Sequence, residues 1–441
     1  MKNNMEKLGG VWLSRTAETA QGTYQASNLM RLPWGSGSRL ALDRARSDDR
    51  DRITGVEGPT LINELNRRSR GSLSMDAGVI DFITFISSFF YGACTNSSLG
   101  SYTKKHIISP LASIDMPTFT AYQKLGNAIF YERFDGCGVN SFDLEISKDD
   151  WIKASCDIAG LGKSSVSYIK AAGNISNPLD ATLTLSEYTE SEDGSGRGCG
   201  GATSDVVSGA TDAERLANIY KLEIQKADGT WVEVTPTACE AANPSIITFN
   251  VPMGLTGGEP YRIHYNAASA DSWQTAPALT QESPLKLSQA SLLINGLYDG
   301  SAFFGGSDSI DLHWNGVTIH GENNLIIKDM PGSGKIYGSS LKRGQRIITI
   351  KLSKQMRDTI LHADIDANAT LSLQVDIIGA LIEPGYHYEA NFMFPLVGIS
   401  GLNVGADDKY LTEDGDLIVL EDPTHGFGNV VTTNKTTNYL A

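Results

Sequence analysis

Residues 130–162 read FYERFDGCGVNSFDLEISKDDWIKASCDIAGLG, and their alternation decides the fold class. Phe142, Leu144 and Ile146 alternate with Ser141, Asp143 and Glu145, and Ile152, Ala154, Cys156 and Ile158 alternate with Lys153, Ser155 and Asp157. Successive side chains of a strand point to opposite faces, so this stretch reads as two strands sharing one dry and one wet face. Sheets of that kind pack one face on a core and leave the other solvated. The pattern returns from Ala369 in ATLSLQVDI, where Leu371, Leu373, Val375 and Ile377 oppose Thr370, Ser372, Gln374 and Asp376.

Working outward, the chain repeats itself. RRSRGSLSMDAGVIDFITFISSFFYG from Arg67 and KRGQRIITIKLSKQMRDTILH from Lys342 each run from a basic entry through a strand into a helix. Each is followed by an alternating run, VNSFDLEI from Val139 and ATLSLQVDI from Ala369, which suggests a building block used twice and, through two blocks per chain, a ring. Val79, Phe82, Ile83, Ile86 and Phe90 fall at helical spacing, a stripe better explained by packing on a sheet than by a ligand slot.

At 441 residues the chain can hold two or three domains, each with its own core. The expected organisation is mainly β: a first domain over 1–173, an inserted small β-sandwich over 174–284, a second domain over 285–402 and a C-terminal arm over 403–441 that docks on a neighbour. Within the insertion, ESEDGSGRGCGGATSDVVSG reads as a mobile loop, and Asp228-Gly229 lies between two strand candidates as a hairpin signal. RARSDDRDRITGVEG from Arg44 reads as an open polar loop. No apolar run is long enough for a spanning helix, and MKNNMEKLGG lacks the apolar segment of a signal peptide, so no membrane is expected and the protein is expected to be made in the cytosol. Cys94, Cys137, Cys156, Cys199 and Cys239 are scattered and never spaced Cys-x-x-Cys, which points to plain thiols.

Charge is uneven. Residues 1–175 carry 20 Lys and Arg against 18 Asp and Glu, residues 176–284 carry 5 against 15, and residues 285–441 carry 11 against 18. Holding nucleic acid requires cations that displace counterions, so a chain of net charge −15 is suited to letting DNA pass rather than to gripping it; the plainer reading is solubility. No catalytic constellation, metal site or cofactor motif emerges. MPGSGKIYG has Asp329 and Ile336 where a phosphate loop needs Gly and Ser or Thr. His313 and His320 lack partners at metal-ligand spacing, and Asp407, Asp408, Glu413, Asp414 and Asp416 lack the ordered spacing of a calcium loop.

Several stretches together resemble the tail tube proteins of long-tailed bacteriophages. They are GGVWLSRTAETAQGTYQASNLMRLP from Gly9, GSLSMDAGVIDFITFISSFFYG from Gly71 and residues 130–162, with Phe134, Gly136, Cys137, Val139, Asn140 and Ser141 and the closing Ala159-Gly160. ASLLINGLYDGSAFF, GVTIHGENNLI with Asn323-Asn324, and GYHYEANFMFPLVGIS before and after Pro395 are similar to the family's second half. The resemblance covers roughly three quarters of the chain and leaves out the insertion.

That resemblance implies two tandem tail-tube-type β-sandwich or barrel domains, each with a flanking helix, in a structural virion protein rather than an enzyme. Sheets of neighbouring copies would close into a barrel, rings would stack into the hollow tail tube, and double-stranded DNA would pass through without specific binding. Partners would be further copies of the chain, a tape measure protein, a tail terminator and the baseplate or tail tip hub, with localisation in the virion tail and in the host cytoplasm during assembly. Two tube units per chain suggest three copies per pseudo-six-fold ring, with a single large domain in a hexamer as the alternative. The expected acidic residues of the lumen are Asp143, Glu145, Asp157, Asp311 and Asp376, although alternation identifies a wet face without saying whether it looks inward or outward. The competing function is a receptor- or glycan-binding tail fibre or adhesin whose insertion is the binding surface.

Overall fold

The computed structural model describes residues 10–48, 62–125, 130–148, 150–166, 168–174, 182–185, 206–250, 258–266, 276–298, 303–304, 308–309, 314–330, 335–357, 359–407 and 410–441. The chain is mainly β, as its alternation requires. A first unit contains β1 (Gly10–Ser14), β2 (Leu29–Arg31), β3 (Arg39–Asp48), β4 (Ile62–Met75), α1 (Ile80–Tyr91), β5 (Gly92–Ser98), β6 (Lys104–Pro110), β7 (Phe119–Leu125), β8 (Phe130–Ser147) and β9 (Lys153–Val166). Then come β10 (Tyr168–Asn174), β11 (Thr182–Thr184), α2 (Asp212–Ala217), β12 (Ile219–Gln225), β13 (Trp231–Glu233), β14 (Pro236–Cys239), β15 (Ile246–Phe249) and β16 (Pro260–Asn266). The second unit holds β17 (Ala290–Ile294), β18 (Leu297–Tyr298), β19 (Phe303–Phe304), β20 (Asp308–Ser309), β21 (Trp314–Glu322), β22 (Ile326–Lys328), β23 (Ser340–Lys342), β24 (Ile347–Gln355), α3 (Ile360–Asp366), β25 (Thr370–Glu383), β26 (Tyr386–Asp407), β27 (Tyr410–Val419) and β28 (Asn429–Asn434).

The two units share one strand order. In the first, neighbours run β2, β1, β7, β8, β9, β4, β3; in the second they run β20, β17, β25, β26, β27, β24, β21, antiparallel throughout. Irregularities recur at matching places. β7 on β8 shifts register between Phe119 and Ala121, opposite Cys137 and Phe134; β25 on β26 shifts between Leu371 and Leu373, opposite Val397 and Phe394. β8 on β9 shifts between Val139 and Ser141, and β26 on β27 between Ile399 and Gly401. A bulge adds a residue and re-aims everything beyond it, so two coincident bulges fix a residue-by-residue correspondence in which Phe142 matches Leu402 and Leu144 matches Val404. The run from Ala369 is therefore the counterpart of β7, and β8 corresponds to β26 rather than to that run; period-2 alternation names a face but not a partner.

The fourteen strands of these two orders, with β5, β6 and β28, form one 17-stranded network, while β18 pairs with β19 and β22 with β23 apart from it. Its core is continuous, with Phe82, Phe85, Phe89, Phe142, Leu373 and Phe392 in one cluster. Helix α1 sits in this core. All twelve of its residues are buried, including Thr84, Ser87 and Ser88, so it is not the one-sided stripe its spacing suggests. Thr84 Oγ1 lies 2.7 Å from the Ile80 carbonyl and 2.9 Å from Thr432 Oγ1, which satisfies its buried hydroxyl. Val79 cannot cap the helix through its side chain. Glu282 does so from a distant segment, accepting from the Ile80 N–H at 2.6 Å and the Asp81 N–H at 3.2 Å. Gly92, at φ 92°, ends the helix in the left-handed conformation that a side chain would resist.

Strands β10 to β16 form a separate small body. A four-stranded sheet (β10, β16, β12, β13) faces a three-stranded one (β11, β15, β14) across Leu183, Leu222, Ile224, Ile247, Phe249 and Ile263. Its end differs from the boundary expected at 284: Thr280 N–H already bonds the Arg31 carbonyl, and Leu285 N–H the Gly78 carbonyl. The boundary expected at 402 falls inside β26. The segment expected as an arm supplies β27 and β28 to the chain's own sheet, and Tyr439 is buried with its hydroxyl bonded to Asp81. Arg44 to Asp48, expected in a loop, are strand residues of β3; the rest of that segment, and most of the Gly-rich stretch beginning at Glu190, lie outside the described residues.

Candidate assembly surface: a wet sheet face and two strand edges

The wet face predicted from residues 130–162 extends across both units, because register places its members side by side. One row runs Ser72, Asp157, Ser141, Glu322; the next runs Ser74, Ser155, Asp143, His320, Thr349; a third runs Lys153, Glu145, Thr318, Lys351, Asp416. Asp143, Glu145 and Asp157 thus share one surface. Asp143 bonds His320 Nδ1 at 2.7 Å, Glu145 lies 3.9 Å from Lys153 Nζ, and Asp157 accepts from Ser141 Oγ at 3.1 Å. Lysines stand among the carboxylates, so the surface carries both signs of charge.

Asp376 does not join that row. It sits in β25 between Ser291 and Asn391, and Gln374 Nε2 donates to both its oxygens at 2.6 and 2.7 Å. Burial, with a smaller contribution from Glu389, raises its pKa above the ordinary carboxylate value. Asp311 and His313 lie outside the described residues, as do Cys199 and Asp408. Cys94, Cys137, Cys156 and Cys239 are free thiols. No group of three or more His, Cys, Asp or Glu side chains suited to a metal occurs among the described residues.

The units meet edge to edge. β21 of the second pairs with the far half of β8 from Gly316 opposite Ser147 to Glu322 opposite Ser141, where β7 has already left that edge. The Asn323 N–H bonds the Asn140 carbonyl at 2.7 Å and the Lys148 N–H bonds the Asn315 carbonyl at 2.9 Å, closing the junction at both ends. Val317, Ile319, Leu144 and Ile146 bury their side chains beneath it. Asn323 is itself buried and donates to the Phe90 and Val139 carbonyls, while Arg346 donates to its side-chain oxygen at 3.0 Å. Of the Asn323-Asn324 pair noted in the sequence, Asn323 is thus a fastener between units, while the Asn324 side chain donates to the Gln345 carbonyl within the second unit.

Several strands have a single strand neighbour among the described residues, β2, β5 and β20 among them, and two long edges are open in the same way. β3 pairs only with β4, and β26 beyond Gly398 pairs only with β27. Val404, on the dry side of that β26 edge, is 49% exposed, whereas its counterpart Leu144 is 2% exposed beneath β21. The sequence offered a signal, since Leu402, Val404 and Ala406 alternate with Asn403, Gly405 and Asp407; it could not show that the strand stands at an edge. No protein-family model and no curated protein matches the chain.

Proposed function

We propose that the chain is a structural subunit of a bacteriophage tail tube. Copies join side by side into a ring, rings stack into a hollow tube, and the surface carrying Asp143, Glu145 and Asp157 borders a bore through which double-stranded DNA passes without specific binding. The observation that carries this reading is the junction of β8 with β21: one chain already joins two units of the same strand order edge to edge in a continuous sheet. Closing a sheet on itself removes the unpaired edges that would otherwise aggregate. The subunit catalyses no reaction. Three chains supply six units per ring, and the tape measure protein, tail terminator and tail tip hub are the proposed partners of the assembled tube.

Negative-stain microscopy of the purified protein, with native mass measurement of isolated rings, tests this. Hollow rings or tubes of three chains per ring are expected. Six chains per ring would reject the trimer, and compact monomers at every concentration would reject the tube. In tailed particles, Asp143→Asn, Glu145→Gln and Asp157→Asn together should slow or trap DNA on its way out; unaltered ejection kinetics at low salt would remove the bore assignment.

A further inference from the structure

We infer that the outer edge of β3 in one copy pairs antiparallel with Gly401–Asp407 of β26 in the next, repeating between chains the junction that β21 and β8 make within one. This rests on the reading that copies of the chain assemble side by side, and it adds which edges meet and in what register.

The internal junction is the template. The bulges match β8 to β26, and the pairings of β4 with β9 and of β24 with β27 carry the match across to the outer strands. Gly71 lies opposite Ile158 and Ile350 opposite Leu417, so these two correspond; Leu40 pairs with Gly71 and Ile319 with Ile350, so Leu40 corresponds to Ile319. Within the chain Ile319 faces Leu144. Between chains the same geometry sets Leu40 opposite Val404, Leu42 opposite Leu402, and Ala41 opposite Asn403. Dry-face residues meet dry-face residues, and the exposed Val404 receives the cover that Leu144 has from β21.

Hydrogen-bond phase agrees. Backbone bonds at Asn315 and Asn323 place the odd-numbered residues of β21, Ile319 among them, in hydrogen-bonded pairs with β8. In β3 the corresponding Leu40 turns its amide and carbonyl away from β4. Both are held by the side-chain amide of Gln123, at 3.1 and 3.0 Å. Gln123 occupies the place of a neighbouring strand and gives way to Val404 in the assembled pair. Charge also agrees: β3 and β4 carry six arginines, one of them (Arg67) buried, against Asp43, Asp48 and Glu64, while β27, beside the β26 edge, exposes Asp414 and Asp416 and has no Lys or Arg, its Glu413 being buried against Lys354. The two edges differ, so the contact is head-to-tail and propagates until it closes.

The test is a cysteine pair in the full chain. Ala41 and Asn403 face each other as a non-hydrogen-bonded pair, the closer of the two antiparallel spacings, and both are exposed. Diamide oxidation of an Ala41→Cys/Asn403→Cys variant should give chain-to-chain disulfides ending at the ring's own chain number, at least tenfold above either single variant. An Ala41→Cys/Thr349→Cys control, whose second thiol lies two strands in from the edge, should stay at background. Val404→Lys, at a site already exposed in the subunit, should leave its thermal melting unchanged and reduce assembly at least tenfold. Rings or tubes of the Ala41→Cys/Asn403→Cys variant that form without the chain-to-chain disulfide, or a Val404→Lys variant that assembles normally, would overturn the edge assignment and leave the tube reading standing. A chain that never assembles would overturn both.

Discussion

The two units keep one backbone plan and differ in what they bury. In the first, Met75 lies opposite Ala154, and both are core residues. The corresponding positions of the second are Lys354 and Glu413, an ion pair at 2.9 Å whose side chains are 2% and 0% exposed, with His362 Nε2 3.2 Å from the other carboxylate oxygen. The helices diverge likewise: α1 is buried on every side, whereas α3 buries only Leu361. Strand order and bulges are thus the constant of this architecture, because backbone hydrogen bonds are indifferent to side-chain identity. Core chemistry is free to drift provided that each buried polar group finds a partner.

The sharpest way to break the comparison is to break the ion pair. Glu413→Ala should cost about 3–5 kcal/mol in chemical denaturation by stranding the Lys354 charge, whereas Lys354→Met with Glu413→Ala, which copies the first unit, should be neutral or stabilising by about 1–4 kcal/mol. A double variant as unstable as the single would mean the second unit cannot accept the first unit's core. Next come the helices. Phe89→Ala in α1 should cost about 3–5 kcal/mol, and Leu361→Ala in α3 should fall nearer about 2 kcal/mol, since its flanks are already wet; equal losses would erase the contrast.

Glu282 sharpens it further, because only α1 depends on a borrowed carboxyl. Burial, with Asp81 nearby, pushes its pKa up to about 8. The folded state therefore favours the protonated form, so this contribution is full below the ordinary carboxyl pKa and is lost as pH rises toward 8. Glu282→Gln should flatten that fall, read as the difference in denaturation midpoint between pH 5 and pH 8; an unchanged slope would place the titration elsewhere. The smallest effect belongs to the wet face. Asp143→Asn should shift stability by no more than about 0.5 kcal/mol, because its bond to the half-exposed His320 is an exposed pair.

Much of the β framework is readable from alternation alone. VNSFDLEIS and WIKASCDIAG form β8 and β9 with their dry residues inward, and Asp228-Gly229 lies in the turn between β12 and β13, Gly229 at φ 83°. The buried ion pair also left a trace. Ile348, Ile350 and Leu352 set the dry phase of β24 and Lys354 falls on it, while Glu413 shares the phase of Leu417 and Val419. What alternation could not supply is the partner. β26 changes phase at its bulge after Ile399, so a fixed period of two misassigns everything beyond it, and the acidic tail, whose composition reads as an arm, completes the sheet. The cap on α1 was out of reach for a different reason, since no local pattern announces a carboxylate supplied by a residue so remote.

That remoteness constrains how the molecule comes into being. Glu282 reaches α1 across 202 positions and Thr432 meets Thr84 across 348, so the most oil-like helix waits for groups translated long after it. A nascent chain would carry this greasy segment without its cap or its roof through most of its synthesis, a situation that favours slow maturation and calls on chaperones.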